Sequence, residues 1–95
     1  MQPPDITRVF KGPQNEFEVE IVFAREGNQS PKEGHTYDEI IVVTEGVIEL
    51  ERSDLEEIKI HSKNDVIFLP KDTVHKISVK TEPVKLVIIH PDRKE

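Results

Sequence analysis

The chain has 95 residues and a formal net charge of −6, with no Cys, no Trp and a single Met. This length predicts one domain over residues 1–95, since domains typically contain about 100–150 residues. The absence of Cys excludes a disulfide framework and a zinc-thiolate site. The acidic balance argues against a nucleic-acid surface, and no stretch approaches the ~20 apolar residues of a membrane helix.

The composition favours strands over helices. Val and Ile occur 11 times each, whereas Leu occurs 4 times and Ala once. Because β-branched side chains suit a pleated sheet, this ratio predicts an all-β domain. Charged residues make up 34% of the chain, mostly Glu and Lys, which is typical of proteins from thermophiles. The N-terminus lacks the pattern of a secretory signal, so we expect a cytoplasmic protein.

Gly, Pro, Asn and Ser interrupt the chain at intervals of about eight to twelve residues, as in a β-sandwich or barrel. We therefore predict a single domain of about eight strands, arranged as a β-sandwich or a barrel. The predicted strands are Thr7–Phe10, Glu16–Ala24, Asp38–Thr44, Val47–Arg52, Leu55–His61, Asp65–Leu69, His75–Lys80 and Val84–His90.

The alternation of side chains along each strand predicts which residues face the interior. The residues predicted to lie inside are Phe17, Val19, Ile21, Phe23, Ile48, Leu50, Ile58, Ile60 and Phe68. Glu16, Glu18 and Glu20 alternate with the first four, so we expect them to face solvent. His61 and His90 stand at strand ends, and we expect solvent exposure for both.

Two segments are apolar on both faces, namely residues 40–43 and residues 87–89. A strand that is apolar on both sides is normally covered on both sides. In a small barrel the outer face should meet water, so these segments predict a second covering layer. We expect that layer to come from a homodimer.

Several ionisable residues share the inward parity. Glu33, His35, Tyr37 and Glu39 alternate onto one face, and His75 shares the inward face of Ile77 and Val79. Buried ionisable groups are costly unless they are paired or bound to a metal. Two imidazoles with carboxylate oxygens suit Fe(II) and Mn(II). Two interpretations stay open: a divalent metal site, or Glu39 paired with His35 without a metal. For Tyr37 a barrel-mouth aromatic is the simplest interpretation.

These residues resemble the two motifs of the cupin superfamily. The first motif has the form His-x-His, three or four residues, Glu, six residues, Gly. It aligns with Glu33-Gly34-His35, then Glu39 and Gly46. The second has the form Gly, five residues, Pro-x-Gly, two residues, His. It aligns with Asn64, Pro70-Lys71-Asp72 and His75.

The resemblance implies a metal held by His35, Glu39 and His75, with Glu33 in the place of the family's first His. If Glu33 ligates, the harder donor set favours Mn(II) or Fe(II) over Cu. Glu33 turned away from the metal, and a site that has lost its metal, are the alternatives. Asn64 and Asp72 replace two family glycines, and both residue types tolerate a positive φ.

The resemblance implies a single-domain antiparallel β-barrel or jelly roll of about eight strands. It also implies three functions. The first is an enzyme that uses Fe(II), Mn(II) or Zn(II) on a small molecule in the barrel, with dioxygenase- or isomerase-like chemistry. The second is a non-enzymatic barrel that binds a sugar or another small metabolite. The third is a cupin scaffold without a working site. No cofactor other than the metal, no nucleic acid and no membrane is expected as a partner.

Overall fold

The computed structural model of the chain describes residues 4–14, 16–30 and 32–92. In these residues the protein is all-β, as the composition predicts. The strands are β1 (Asp5–Lys11), β2 (Glu18–Ala24), β3 (Glu39–Arg52), β4 (Glu57–Ser62), β5 (Val66–Leu69) and β6 (His75–His90). No helix in the described part of the chain is long and apolar enough to span a membrane.

Six strands are observed where about eight are predicted, because two pairs of predicted strands are continuous. β3 joins the segments predicted as 38–44 and 47–52, and its register with β6 shifts between Val43 and Ile48. Gly46 lies in this irregular stretch with a φ of 83°, a conformation that L-amino acids with a Cβ avoid. The Gly thus lets β3 bend without ending, so one strand serves both halves of the barrel.

All strand pairs are antiparallel, in the order β1-β2-β6-β3-β4, and β5 pairs with the first part of β3. The two long strands β3 and β6 therefore form the centre of the sheet. Single bridges from Gln29 to Ser78 and from Glu33 to His75 attach the segment before β3 to the first part of β6. This attachment places Glu33 beside His75, although the two residues are far apart in sequence.

The positions that replace family glycines take the conformation expected of them. Asn64 has a φ of 78° and Asp72 a φ of 66°, both in the left-handed region. The backbone N–H of Asp72 also donates to the carbonyl of His35, at 2.6 Å. The turn before β6 is thereby tied to the segment that carries His35, which helps to hold His35 and His75 near each other.

The interior face of β2 is the opposite of the predicted one. Glu18, Val22 and Ala24 are buried inside, whereas Phe17 is exposed and Val19 lies half-buried on the outer face. The prediction assumed that the more apolar face points inward. Here the interior at this end of the barrel is polar, and the outer face of the sheet is itself apolar.

The same outer surface explains the other errors of parity. Ile58 and Ile60 pair with Glu51 and Glu49 on the outer face of β4, and their exposed fractions are 62% and 55%. Phe68 is also exposed, at 52%, because its neighbours Ile67 and Leu69 take the interior positions of β5. The predictions for Ile48 and Leu50 are confirmed. The core consists of Val22, Ala24, Ile41, Val43, Ile48, Leu50, Ile67, Leu69, Val84, Leu86 and Ile88.

Two rows of apolar side chains cross the outer face of the sheet, and we call them the outer rows. They follow the strand register from β1 or β2 through β6 and β3 to β5. The first row contains Phe10, Val19, Ile89, Ile40 and Phe68, and the second contains Ile21, Val87, Val42 and Val66. The members on β1 and β5 are exposed, and the remaining members are half-buried.

Candidate functional site

Four ionisable side chains meet at one end of the barrel, and we call them the buried cluster: Glu18, Glu39, His75 and His90. Their exposed fractions lie between 0% and 5%. The strand register brings them together. Glu18 is paired with His90, and Ile40 with Ile89, so Glu39 and His90 are neighbours on the inner face. His75 is at the opposite end of β6. Because that strand is curved, His75 nevertheless lies beside Glu39.

Glu39 is the centre of the buried cluster. Its Oε1 accepts a hydrogen bond from His90 Nε2 at 2.8 Å. Its Oε2 lies 3.3 Å from His75 Nε2 and accepts no hydrogen bond. Burial would raise the pKa of Glu39, but its contacts with His75 and His90 outweigh burial and lower the pKa to about 2. The carboxylate is therefore ionised throughout the neutral range.

His75 is held by the backbone through its other ring nitrogen. Nδ1 lies 3.1 Å from the carbonyl oxygen of Thr73, so it carries a proton and donates it. Burial would lower the pKa of His75, but the charge and contact of Glu39 outweigh this effect and raise the pKa. In the neutral ring Nε2 carries a lone pair and lies 3.3 Å from Glu39 Oε2. Two lone-pair atoms at 3.3 Å repel each other unless a proton or a cation lies between them.

His90 is buried, with 3% exposure, so the prediction that it faces solvent is wrong. Its Nδ1 lies 3.0 Å from Glu18 Oε1, and its Nε2 donates to Glu39. Burial would lower the pKa of His90, but Glu39 and Glu18 outweigh burial and raise the pKa. Since Glu18 Oε2 also lies 2.9 Å from Arg8 Nε, two cations balance two buried carboxylates at this end of the barrel.

Three further predicted residues, Glu33, His35 and Tyr37, lie next to the buried cluster. His35 Nε2 is 3.6 Å from Glu33 Oε1, and the His35 ring stacks on Tyr37 with centroids 4.7 Å apart. Burial lowers the pKa of His35, although Glu39 and Glu33 partly oppose the shift. The ring is therefore neutral at neutral pH, which is the form that binds a metal. Its centroid lies 5.4 Å from that of His75.

The structure thus brings all four predicted metal ligands, His35, Glu39, His75 and Glu33, to the wall of one cavity. Single ligand atoms of Glu33, His35 and His75 lie within 4.8 Å of one another. The exposed fraction of the Glu33 side chain is 45%, so it is the most open of the four.

Glu18, Glu20 and His90 form a second group with the same spacing. In that group Glu18 is already matched by Arg8 and His90, so the first group is the better metal candidate. None of these three residues was predicted to belong to a site. A signal was present for His90, which shares inward parity with Leu86 and Ile88. His61, the other histidine expected in solvent, is half-buried beside Asp65.

The cavity has a volume of about 330 Å³, equivalent to roughly eleven waters. One end carries the ionisable groups described above. The other end is lined by apolar side chains of β2 and β6, among them Val22, Ala24, Val84 and Leu86. A small molecule could therefore enter far enough to touch both ends.

The donor types suit a divalent cation, although the group whose ligand atoms lie within 4.8 Å of one another contains Glu33, His35 and His75 but not Glu39. The ring nitrogens of His35 and His75 and the carboxylate oxygens of Glu39 and Glu33 are nitrogen and oxygen ligands of the type that Fe(II), Mn(II) and Zn(II) accept. The buried Oε2 of Glu39, which lacks a hydrogen bond, is the atom that most needs a cation. The contacts of His75 with Thr73 and of Glu39 with His90 hold two of these donors in place.

Solved structures with the same fold cover nearly all of this chain. An RmlC-like cupin family protein with a double-stranded β-helix fold, from Methanocaldococcus jannaschii, superposes with a TM-score of 0.83 at 11% identity, over 97% of this chain and 83% of that chain. The Cnp3 cupin domain from Schizosaccharomyces pombe superposes with a TM-score of 0.86 at 18% identity, over 98% and 67%. KdgF from a Halomonas species gives 0.75 at 21% identity, over 93% and 78%.

These identities establish a shared fold only, and a search of curated proteins finds no match. A family sequence model, described as Cupin domain, matches residues 19–90, from β2 to the last residue of β6. This match includes Glu33, His35, Glu39 and His75, the residues that align with the cupin motifs. The chain therefore belongs to the cupin family.

Proposed function

We propose that this protein binds Fe(II), Mn(II) or Zn(II) through His35, Glu39 and His75, with Glu33 as a fourth ligand. We further propose that it uses the metal to act on a small molecule in the cavity. One observation carries the proposal. Glu39 Oε2 is buried, has no hydrogen-bond partner and lies 3.3 Å from His75 Nε2. In the neutral imidazole this pair of atoms needs a cation, and a metal supplies it without protonating His75.

When bound, the metal would act as a Lewis acid or activate oxygen, which suits dioxygenase- or isomerase-like chemistry. The protein itself positions the donors. The carbonyl of Thr73 holds the Nδ1 proton of His75, and His90 donates to one oxygen of Glu39 while the other oxygen faces His75. The stacked ring of Tyr37 restricts the rotation of His35.

Metal analysis of protein purified without a His tag tests the proposal. We expect wild-type protein, after removal of metal by a chelator, to take up an equimolar amount of Mn(II) or Fe(II). His75→Ala should lose this uptake, since it removes a ligand. His61→Ala is the matched control, because His61 lies outside the cavity lining, and it should keep the metal. The proposal would be overturned if wild-type protein takes up no metal and its melting temperature does not change when Mn(II) or Fe(II) is added.

The alternative is a metal-free barrel that binds a sugar or another small metabolite, or that has lost its function. It is favoured by the ion pairs of His75 and His90 with Glu39, which balance charge without a metal when the rings are protonated. A metabolite that raises the melting temperature of chelator-treated protein would support it, since a ligand of the folded state stabilises that state.

We also propose that the protein forms a homodimer through the outer rows. These side chains form a continuous apolar surface across five strands, and its members on β1 and β5 are open to solvent. Contiguous apolar patches of this kind usually mark an interaction surface. Because the patch lies on the outer face, a second copy would cover it without closing the cavity.

A further inference from the structure

The cavity combines a carboxylate-rich end with an apolar end, and this combination restricts its ligand. Glu20, Glu33 and Glu39 contribute three carboxylates to the lining. Among the described residues that line the cavity there is no Lys and no Arg. The guanidinium of Arg8 is paired with Glu18, at 2.9 Å.

The charges of the buried cluster are already matched. His90 lies between Glu18 and Glu39, and His75 lies against Glu39. With a divalent metal bound, the four carboxylates of Glu18, Glu20, Glu33 and Glu39 would meet four positive charges, two from the metal and one each from Arg8 and the protonated ring of His90, which also lies 3.9 Å from Glu20 Oε1. An anionic ligand would then add a negative charge for which the described lining offers no Lys or Arg. An uncharged ligand with oxygen donors avoids this unmatched charge and can still reach the metal.

The apolar end selects for a hydrocarbon body. Ala24, Ile77, Val79 and Leu86 line it, and no charged group lies among them. A ligand hydroxyl placed against these four side chains would lose hydration without gaining a hydrogen bond from them, although Asn28, Gln29 and Ser30 also line the cavity. The volume of about 330 Å³ is close to the lower limit of ligand cavities.

We infer that the ligand is an uncharged small molecule with oxygen donors at one end and an aliphatic or aromatic body at the other. This inference rests on the proposed metal site, because the metal is what receives the oxygen donors. The apolar body lies against Ala24 and Val79, and an anion of the same shape would meet no Lys or Arg among the described residues of the lining.

Three probes of similar size test this inference on Mn(II)-loaded wild-type protein. They are cis-cyclohexane-1,2-diol, cyclohexanecarboxylate and myo-inositol, and binding is measured by isothermal titration calorimetry and by ligand-observed NMR. The diol should bind at least about tenfold more tightly than either of the others, a difference of about 1.4 kcal/mol. Equal or tighter binding of the carboxylate or of the inositol would overturn the inference.

Two variants separate the apolar end from the metal. Ala24→Leu and Val79→Phe each fill part of the apolar end. Either substitution should therefore weaken the binding of the diol while the uptake of Mn(II) is unchanged. Circular dichroism identifies a variant that does not fold. In that case the other variant is used for the binding measurement. Unchanged binding of the diol in a folded variant would contradict the inference. Failure of wild-type protein to take up Mn(II) would instead contradict the proposed metal site, so the two failures are distinct.

Discussion

Glu39 decides the electrostatics of the site, because it is the side chain that contacts both His75 and His90. Its pKa is lowered, whereas the pKa values of the two histidines are raised. The three groups therefore stabilise the metal-free fold over a limited range of pH. A bound metal changes this dependence, since it competes with protons for the same atoms.

The combined contribution of Glu39, His75 and His90 to the stability of metal-free protein should be largest between the ordinary pKa values of a Glu and a His, about pH 4.5 to 6.5. His35, whose pKa burial lowers, acts in the opposite direction below about 6.5. The contribution of Glu39 is present above about pH 4.5 and is lost as the pH falls towards about 2. The contributions of His75 and His90 are present below 6.5 and are lost as the pH rises through their raised pKa values. We expect the melting temperature to be several degrees higher at about pH 5.5 than at about pH 8.5.

The variant His90→Gln checks this dependence. It removes a titrating ring from the buried cluster and should flatten the pH profile. Added Mn(II) should stabilise wild-type protein more at the higher pH, where the histidines are neutral. A melting temperature that is the same at both pH values in metal-free wild-type protein would contradict the assignment.

At the scale of the strands, the bend of β3 depends on Gly46. Its φ is 83°, and a Cβ at this position would overlap the carbonyl oxygens of Pro83 and Thr81. Gly27 has a similar φ of 89°, but a Cβ there would have no neighbour within 4 Å. A comparison of Ala substitutions at the two positions therefore distinguishes the effect of backbone strain from that of steric overlap.

We expect Gly27→Ala to lower the free energy of unfolding by about 1–2 kcal/mol, the cost of a left-handed conformation. Gly46→Ala should lose about 1–3 kcal/mol more, since atoms of β6 must move to accept the methyl group. Urea unfolding followed by circular dichroism measures both. Equal losses in the two variants would show that the contact between Gly46 and β6 is unimportant.

Alternation along the sequence predicts the inner faces of β3 and of the first part of β6, but not those of β2, β4 and β5. In β3, Glu39 shares the inner face with Ile41 and Val43. In β6, His75 shares the inner face with Ile77 and Val79. Alternation divides a strand into two sets without saying which set is inside. For β2 the deciding fact is that Glu18 is paired with His90, a register between residues distant in sequence.

The rest of the site could not be predicted for the same reason. A buried Glu18 is tolerated only because Arg8 and His90 lie beside it, and those contacts form across three strands. Likewise, Phe68 and Ile58 are apolar residues on an outer surface, which a rule that places apolar residues inside assigns wrongly. The motif residues are recognised from the sequence, whereas the groups that hold them in place require the fold.

At the scale of the whole molecule, the outer rows predict the oligomeric state. Phe68→Lys places a charge in the first row and should convert a dimer into a monomer. Ile58→Lys is the matched control, because Ile58 has a similar exposure of 62% against 52% but lies on β4, outside the rows. Size-exclusion chromatography with light scattering measures both variants. Wild-type protein that is monomeric across the micromolar range would overturn the homodimer.

The continuity of β3 and β6 limits how the cavity can open. Each strand passes through both halves of the barrel, so the halves cannot swing apart as separate bodies without breaking the ladder between β3 and β6. A hinge of the kind found between two domains has no place in this fold. The exchange of a ligand therefore depends on the rim, where Ile6 and the segment from Asn28 to Ser30 border the cavity. Substitutions at the rim should alter how fast a ligand is exchanged without altering how the metal is held.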